Sequence, residues 1–295
     1  MTSWIETLWN SSWARLAIID FGIQWVGCTL AVAFKTEKFY DLAGSLTFIT
    51  MSLLSYEWSK HTWRQFIQSH MIVAWAARLG LFLFIRILKD GKDSRFDDAK
   101  RQPLKFCAFW NLQGVWVIVT LLPTLFLNDA TRDPRLGVRD YLGWTLWAVG
   151  MFFEVTADLQ KTMFRNQPEN KGKFIRSGLW AISRHPNYFG EILLWFGLYI
   201  SASSVFRGWE FASVLSPIFI YLLITKVSGI PLLEKSADKK WGNLAEYQKY
   251  KRSTSVLVPF LNCRPPWRPK SDISFVDDNP TNPDPIDVQS MASQP

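Results

Sequence analysis

Histidine and cysteine are scarce, with three of each in 295 residues. His61, His70 and His185 are scattered and make no metal-ligand spacing, so no metal site is expected. Cys28, Cys107 and Cys263 are odd in number and lack a Cys-x-x-Cys pair, which predicts neither zinc nor a disulfide framework. Cys28 and Cys107 fall in apolar runs, where a small core residue is the expected role. No Gly-x-Gly-x-x-Gly and no P-loop is present, which argues against a soluble Rossmann nucleotide domain. The opening Met1-Thr-Ser-Trp-Ile-Glu has no basic n-region, so no cleavable signal peptide is expected.

The chain does hold 16 Trp, 48% apolar residues and a net charge of +8. The apolar residues gather into long runs separated by basic loops, the pattern of a polytopic membrane protein. The indoles suit interfacial belts, where an apolar ring with a polar N–H prefers the headgroup level. The reading is an all-α membrane bundle of about seven transmembrane helices, at 13–34, 41–58, 70–88, 106–127, 141–157, 188–204 and 211–228. Loops 35–40, 89–105 and 158–187 and the chain after 228 carry 23 Lys and Arg, against 6 on the other side. That asymmetry places the basic loops and the C-terminus in the cytoplasm. The basic charge beside apolar spans points to an anionic membrane face or a phosphorylated ligand rather than nucleic acid.

Residues 1–262 read as one membrane domain and 263–295, rich in Pro, Asp, Asn and Ser, as a disordered tail. Trp241, Leu244, Tyr247, Tyr250 and Lys251 fall at helical spacing on a Lys-rich stretch, a surface helix or lid that Pro259 ends. Asn10-Ser11-Ser12 is a glycosylation sequon too close to the first span for easy use.

One stretch stands out: Ser183-Arg184-His185-Pro186-Asn187-Tyr188-Phe189-Gly190-Glu191 leads from a basic loop into an apolar helix. Ionisable groups at bilayer depth need a cavity or a partner. Asn187 and Glu191 are four apart and share a helical face with Tyr188 beside them. Upstream, Glu154 and Asp158 are also four apart, followed by Lys161 and Arg165. They are either a helix-end ion-pair set or a hydrogen-bonding edge for a polar ligand. Carboxylates suit ribose hydroxyls or an amide, whereas Arg and Lys suit phosphates. Arg78 interrupts the third run and needs a carboxylate or carbonyl, in a structural pair or at a ligand. Glu57 closes the second run as a helix-end glutamate or a substrate-facing acid. Asp20, Gln24 and Gln113 read as interhelical hydrogen-bonding groups.

Trp75-Ala-Ala-Arg78-Leu, Gly91-Lys-Asp93-Ser-Arg95-Phe, Gln113-Gly, Arg184-His-Pro-Asn187-Tyr-Phe-Gly-Glu191 and Trp241-Gly…Tyr247-Gln-Lys-Tyr250…Val258-Pro259-Phe260 together resemble the DUF1295 family. That family is related to the C-terminal domain of steroid 5-alpha-reductases. The resemblance runs from about residue 30 to 262 and is strongest over 150–260. It implies a membrane enzyme that moves a hydride from NADPH to a conjugated C=C of a lipid or steroid-like substrate, with the cofactor in 141–262. It implies an address in the endoplasmic reticulum for a eukaryotic chain. Asp158, Arg165, Asn187, Tyr188, Glu191 and Tyr250 match the reductases' cofactor pattern, and Glu154 stands where they tend to have Asn. A reductase loop tyrosine is absent here, with Phe174 nearby. Arg184 and Lys240 are expected to help Arg165 at the phosphates, Tyr247 joins the cofactor set, and Glu57 is the candidate catalytic acid. Arg184-His-Pro-Asn-Tyr-Phe-Gly is also similar to the Arg-His-Pro-x-Tyr-x-Gly motif of isoprenylcysteine and phospholipid methyltransferases, which bind S-adenosylmethionine. A methyltransferase and a non-catalytic sterol-binding protein are therefore the alternatives.

Overall fold

The computed structural model describes residues 11–93 and 96–261. The expected tail at 263–295, Asn10 of the sequon, and Ser94 and Arg95 of the Gly91–Phe96 motif lie outside them. The described residues are helical, joined by loops and one isolated bridge between Ser183 and Ser255. The helices are α1 Ser12–Phe34, α2 Tyr40–Glu57, α3 Trp63–Asp90, α4 Pro103–Asp129, α5 Val138–Asn166, α6 Pro186–Ala202, α7 Leu215–Leu222, α8 Ile230–Trp241 and α9 Ala245–Ser253.

Local chemistry sets several of these boundaries. The Ser11 hydroxyl accepts from the Ala14 amide at 3.3 Å and starts α1. Thr62 and Gln65 exchange side-chain and backbone bonds in a capping box that starts α3. Pro103 and Pro186 occupy first-turn positions, where the missing N–H would have no helical partner.

Each expected apolar stretch falls on helix. Among the described residues, four helical stretches are long and apolar enough to cross a membrane: Ser12–Phe34, Trp63–Asp90, Pro103–Asp129 and the continuous run Gly208–Trp241. The last begins as a 3₁₀ turn and carries a π-helical turn at Leu223–Val227, after which Gly229 redirects the chain into α8. The C-terminal surface segment is two helices rather than one. Gly242 and Asn243 interrupt it, so Trp241 ends α8 and Leu244 caps α9.

The bundle interior is apolar and aromatic, built on Phe48, Met51, Trp75, Val117, Leu121 and Trp195. Trp75, Trp110 and Trp195 are core residues, whereas Trp58, Trp63 and Trp209 are exposed at one end of the bundle, where a belt is expected. That end is tied by buried Arg64, which bridges Asp133 and pairs with Asp140 at 2.6 Å. Gln24 donates to Thr47 at 3.1 Å and Gln113 to the Tyr40 carbonyl at 3.1 Å, the interhelical role expected of them, whereas Asp20 accepts from Gln24 at 3.3 Å within α1 itself.

Cys28 and Cys107 are disulfide-bonded, against the expectation of two separate thiols. Spacing along the chain could not reveal the pair, because packing of α1 on α4 brings the two Cα atoms to 5.7 Å across 79 residues.

α5 and α6 make the tightest helix contact. Gly143 and Gly150 on α5 face Gly197 and Gly190 on α6, two pairs one heptad apart. A Cβ at Gly143 would sit 2.5 Å from the Gly197 carbonyl oxygen, and one at Gly150 would sit 2.5 Å from that of Gly190. Small residues at such seams let backbones touch. One turn further, the same seam brings Glu154 and Asp158 opposite Asn187 and Glu191.

Candidate functional site

Arg78 of α3 reaches into that seam. Its Nη1 donates to Glu154 Oε1 at 2.8 Å and its Nη2 to Asp158 Oδ2 at 3.0 Å. Asn187 Nδ2 donates to the other Asp158 oxygen at 3.1 Å. Glu191 lies within electrostatic reach of Asp158 and Arg78. Three carboxylates thus surround one guanidinium, and Glu154 Oε2 is buried with no hydrogen-bond partner. A buried acceptor without a donor costs about 1–3 kcal/mol. An amide N–H or a hydroxyl placed there would satisfy that oxygen.

Beyond the seam, toward the end that carries α8 and α9, lies a cavity of about 230 Å³. Five cations line it: Lys161 and Arg165 from the end of α5, Lys173 and Arg184 from the loop, and Lys240 from α8. Its walls are aromatic. Phe174 packs 5.2 Å from Tyr247 and 5.5 Å from Tyr250, and Lys161 lies 4.6 Å over Trp180. Cations interleaved with flat rings suit a phosphate-bearing, base-bearing ligand.

The loop that feeds this cavity is pinned to the chain after α9. The Arg184 amide donates to the Ser255 carbonyl at 2.8 Å, and the Ser183 hydroxyl to that of Leu257 at 2.7 Å. Glu234 of α8 meets His185 Nε2 at 2.9 Å, Arg184 at 3.4 Å and Lys251 of α9 at 3.3 Å. Burial holds His185 below its ordinary value, against the pull of Glu234, and favours the neutral ring. Tyr188 stacks on that ring at 5.8 Å. Burial and the hydrogen bond it donates to Asp238 push Tyr247 up, so its phenol stays protonated. Tyr250 donates its hydroxyl to the Trp180 carbonyl at 2.6 Å.

The structure therefore gathers Glu154, Asp158, Asn187 and Glu191 at the seam, and Arg165, Arg184, Lys240, Tyr247 and Tyr250 around the cavity, with Tyr188 between the two. Glu57 is not among them. It is exposed at the C-terminal end of α2, at the opposite end of the bundle, where its carbonyl meets the His61 ring. Phe174 takes a wall position between Trp241, Tyr247 and Tyr250, filled by packing alone. Sequence reasoning did not single out Lys173 or Glu234. A lysine in a basic loop and a glutamate on a charged surface helix carry no local signal of what they will face.

The family model described as "Protein of unknown function (DUF1295)" matches residues 28–254. Among curated proteins, 3-oxo-5-alpha-steroid 4-dehydrogenase 1 of Bos taurus is 27% identical over 137 residues, 46% of this chain and 46% of the relative. Steroid 5-alpha-reductase DET2 of Arabidopsis thaliana is 26% identical over 125 residues, 42% of each chain. Probable O-methyltransferase ustE of Ustilaginoidea virens is 27% identical over 158 residues, 46% of this chain and 55% of the relative. The chain spans about half the length of the curated relatives it matches. No solved structure matches it. With a match over most of its length, the chain belongs to the DUF1295 family.

Proposed function

We propose that this protein is a membrane oxidoreductase that transfers a hydride from NADPH to a conjugated C=C of a lipid or steroid-like substrate. The observation that carries the reading is the five-cation, aromatic-walled cavity beside a seam with an unpartnered carboxylate oxygen. A dinucleotide phosphate brings several anionic groups for the cations, rings for the aromatic walls, and ribose hydroxyls and an amide for the carboxylates. S-adenosylmethionine brings no phosphate and a positive sulfonium, a poor counterpart for five cations. The cavity is below the roughly 300–1,000 Å³ usual for small-molecule sites. It therefore seats one end of an extended ligand, with the rest lying along Asn187 toward the seam. Arg165, Arg184, Lys173, Lys161 and Lys240 hold phosphate, whereas Asn187, Glu191 and Glu154 orient the amide end. When bound, NADPH supplies the hydride and the protein supplies orientation and exclusion of water. All seven expected helical stretches are read as crossing the membrane, with the cavity on the cytoplasmic side, in the endoplasmic reticulum of a eukaryotic cell.

The match to an O-methyltransferase favours one second reading, the same cavity serving S-adenosylmethionine. The deciding experiment supplies purified full-length protein with a conjugated ketone and NADPH carrying deuterium on its nicotinamide. The hydride reading expects one deuterium in the saturated product. Methyl transfer from labelled S-adenosylmethionine to a lipid, with no saturated product, replaces it by the second reading.

A further inference from the structure

One carboxylate sits among the five cations of the cavity. Of the residues that line it, Glu234 on α8 is the one acid. Its Oε1 meets His185 Nε2 at 2.9 Å, and its Oε2 meets Arg184 Nη1 at 3.4 Å and Lys251 Nζ at 3.3 Å. Burial opposes its ionisation, but the His185 hydrogen bond and the charge of Arg184 hold it down at about 2, so it is charged at neutral pH. A neutral His185 facing that carboxylate carries its proton on Nε2 and donates it.

The three groups around this carboxylate have anchors of their own. The Arg184 amide is tied to the Ser255 carbonyl, and the His185 amide donates to Ser183 Oγ at 3.2 Å. Lys251 also pairs with Asp238 at 2.6 Å. The Arg184 and His185 side chains are 10% and 7% exposed, so both are enclosed at the cavity wall rather than spread on the surface. Glu234 comes from a separate element, α8, which follows the π-helical turn and lies between Gly229 and Gly242. A guanidinium, an imidazole N–H and an ammonium around two acceptor oxygens are the donors a phosphate takes. A phosphate group brings more acceptor oxygens and, when terminal, more charge than a carboxylate.

We propose that Arg184, His185 and Lys251 form an anion subsite for one phosphate of the ligand, and that Glu234 is its resident stand-in, which the phosphate displaces. The inference rests on the reading of the cavity as a site for a dinucleotide phosphate and names the contact that gates it. With Glu234 in place, the three donors are satisfied and the local charge is balanced. A ligand must first move the carboxylate aside, so its apparent affinity is reduced by the fraction of protein in which Glu234 has left. A ligand with a phosphate repays that step with its own oxygens. A ligand without one has nothing to put in the carboxylate's place, so Glu234 makes the cavity selective for phosphate-bearing molecules rather than for any aromatic one.

The test is calorimetric titration of the purified full chain with inorganic pyrophosphate and, separately, with NADPH. Glu234→Gln removes the charge and keeps an oxygen for His185, so it should bind both probes at least about fivefold more tightly than the native protein. Glu234→Asp keeps the charge but draws it back by one methylene, and should fall between the two; it carries the test if the Gln variant does not fold. Glu169→Gln, which neutralises an exposed carboxylate of the same loop region outside the cavity lining, should stay within about twofold of native. Pyrophosphate binding that is unchanged or weaker in folded Glu234→Gln would overturn the proposal, because Glu234 would then be holding the cations for the ligand. Equal tightening in Glu169→Gln would overturn it too, as an effect of general charge, and so would pyrophosphate binding by neither protein. Pyrophosphate tightened by Glu234→Gln, with NADPH bound by neither protein, would instead strike the dinucleotide reading and leave the subsite standing.

Discussion

Arg78 is the residue on which the seam's charge balance turns. With its side chain 18% exposed, it holds two buried carboxylates at 2.8 and 3.0 Å. Removing one member of such a cluster leaves like charges facing each other, at a cost of about 3–5 kcal/mol. Arg78→Ala should therefore lower the melting temperature sharply in detergent, and Arg78→Lys, which loses the fork, should lower it less. A melting temperature unchanged in Arg78→Ala would show that the carboxylates do not depend on it. His185 supplies a pH signature. Its folded pKa lies below the ordinary 6.5 because burial disfavours the charged ring, against Glu234 and alongside Lys161 and Arg184. The sign follows from linkage: its contribution to stability is complete above 6.5 and is lost as pH falls through 6.5 toward the folded value. Melting temperature should drop as pH falls below 6.5 by more in the native protein than in His185→Gln. An equal drop would assign the effect to other groups. Sequence showed that Arg78 required an acidic or carbonyl partner, because a guanidinium in an apolar run always does. It could not show which carboxylates answer, since they lie 76 and 80 residues away.

Among elements, the α5–α6 seam positions everything else. Gly150 has no room for a side chain against the Gly190 carbonyl. Gly150→Val should push the helices apart, separate Asp158 from Asn187 and abolish ligand binding at the cavity. Gly22 on α1 faces open space, with nothing within 4 Å of where a Cβ would stand, so Gly22→Ala should be tolerated or stabilising by about 1 kcal/mol. Thermal unfolding and cofactor titration of both variants check the contrast, and equal damage from the two would contradict the account of the seam. The helices themselves were legible from apolar runs and the basic loops between them. The break at Gly242-Asn243 was missed because the aromatic spacing from Trp241 to Tyr250 mimics one continuous helix. The Cys28–Cys107 bond was missed because helix adjacency is a tertiary fact.

At the scale of the whole molecule, one end carries exposed Trp58, Trp63 and Trp209, and the other carries the five cations of the cavity. The proposed topology, read from the positive-inside bias, has the cavity facing the cytoplasm. With Cys263→Ser to remove the remaining thiol, Ser253→Cys should react with an impermeant maleimide added to sealed microsomes, whose cytoplasmic face is outward, and Lys60→Cys should react only after detergent opens them. The opposite pattern would invert the topology. Asn187 and Glu191 were legible as site candidates from one nonapeptide, because polar groups at the head of an apolar helix have few structural uses. The candidate substrate side was not, since Glu57 looked like an acid at a span end and the structure puts it at the far end of the bundle. The most direct test of the central claim is cofactor binding by purified full-length protein, titrated with NADPH and with S-adenosylmethionine and repeated with Asn187→Ala. Saturable NADPH binding that weakens with salt and is lost in folded Asn187→Ala is the predicted result, whereas binding of S-adenosylmethionine alone, or of neither by folded protein, would contradict it.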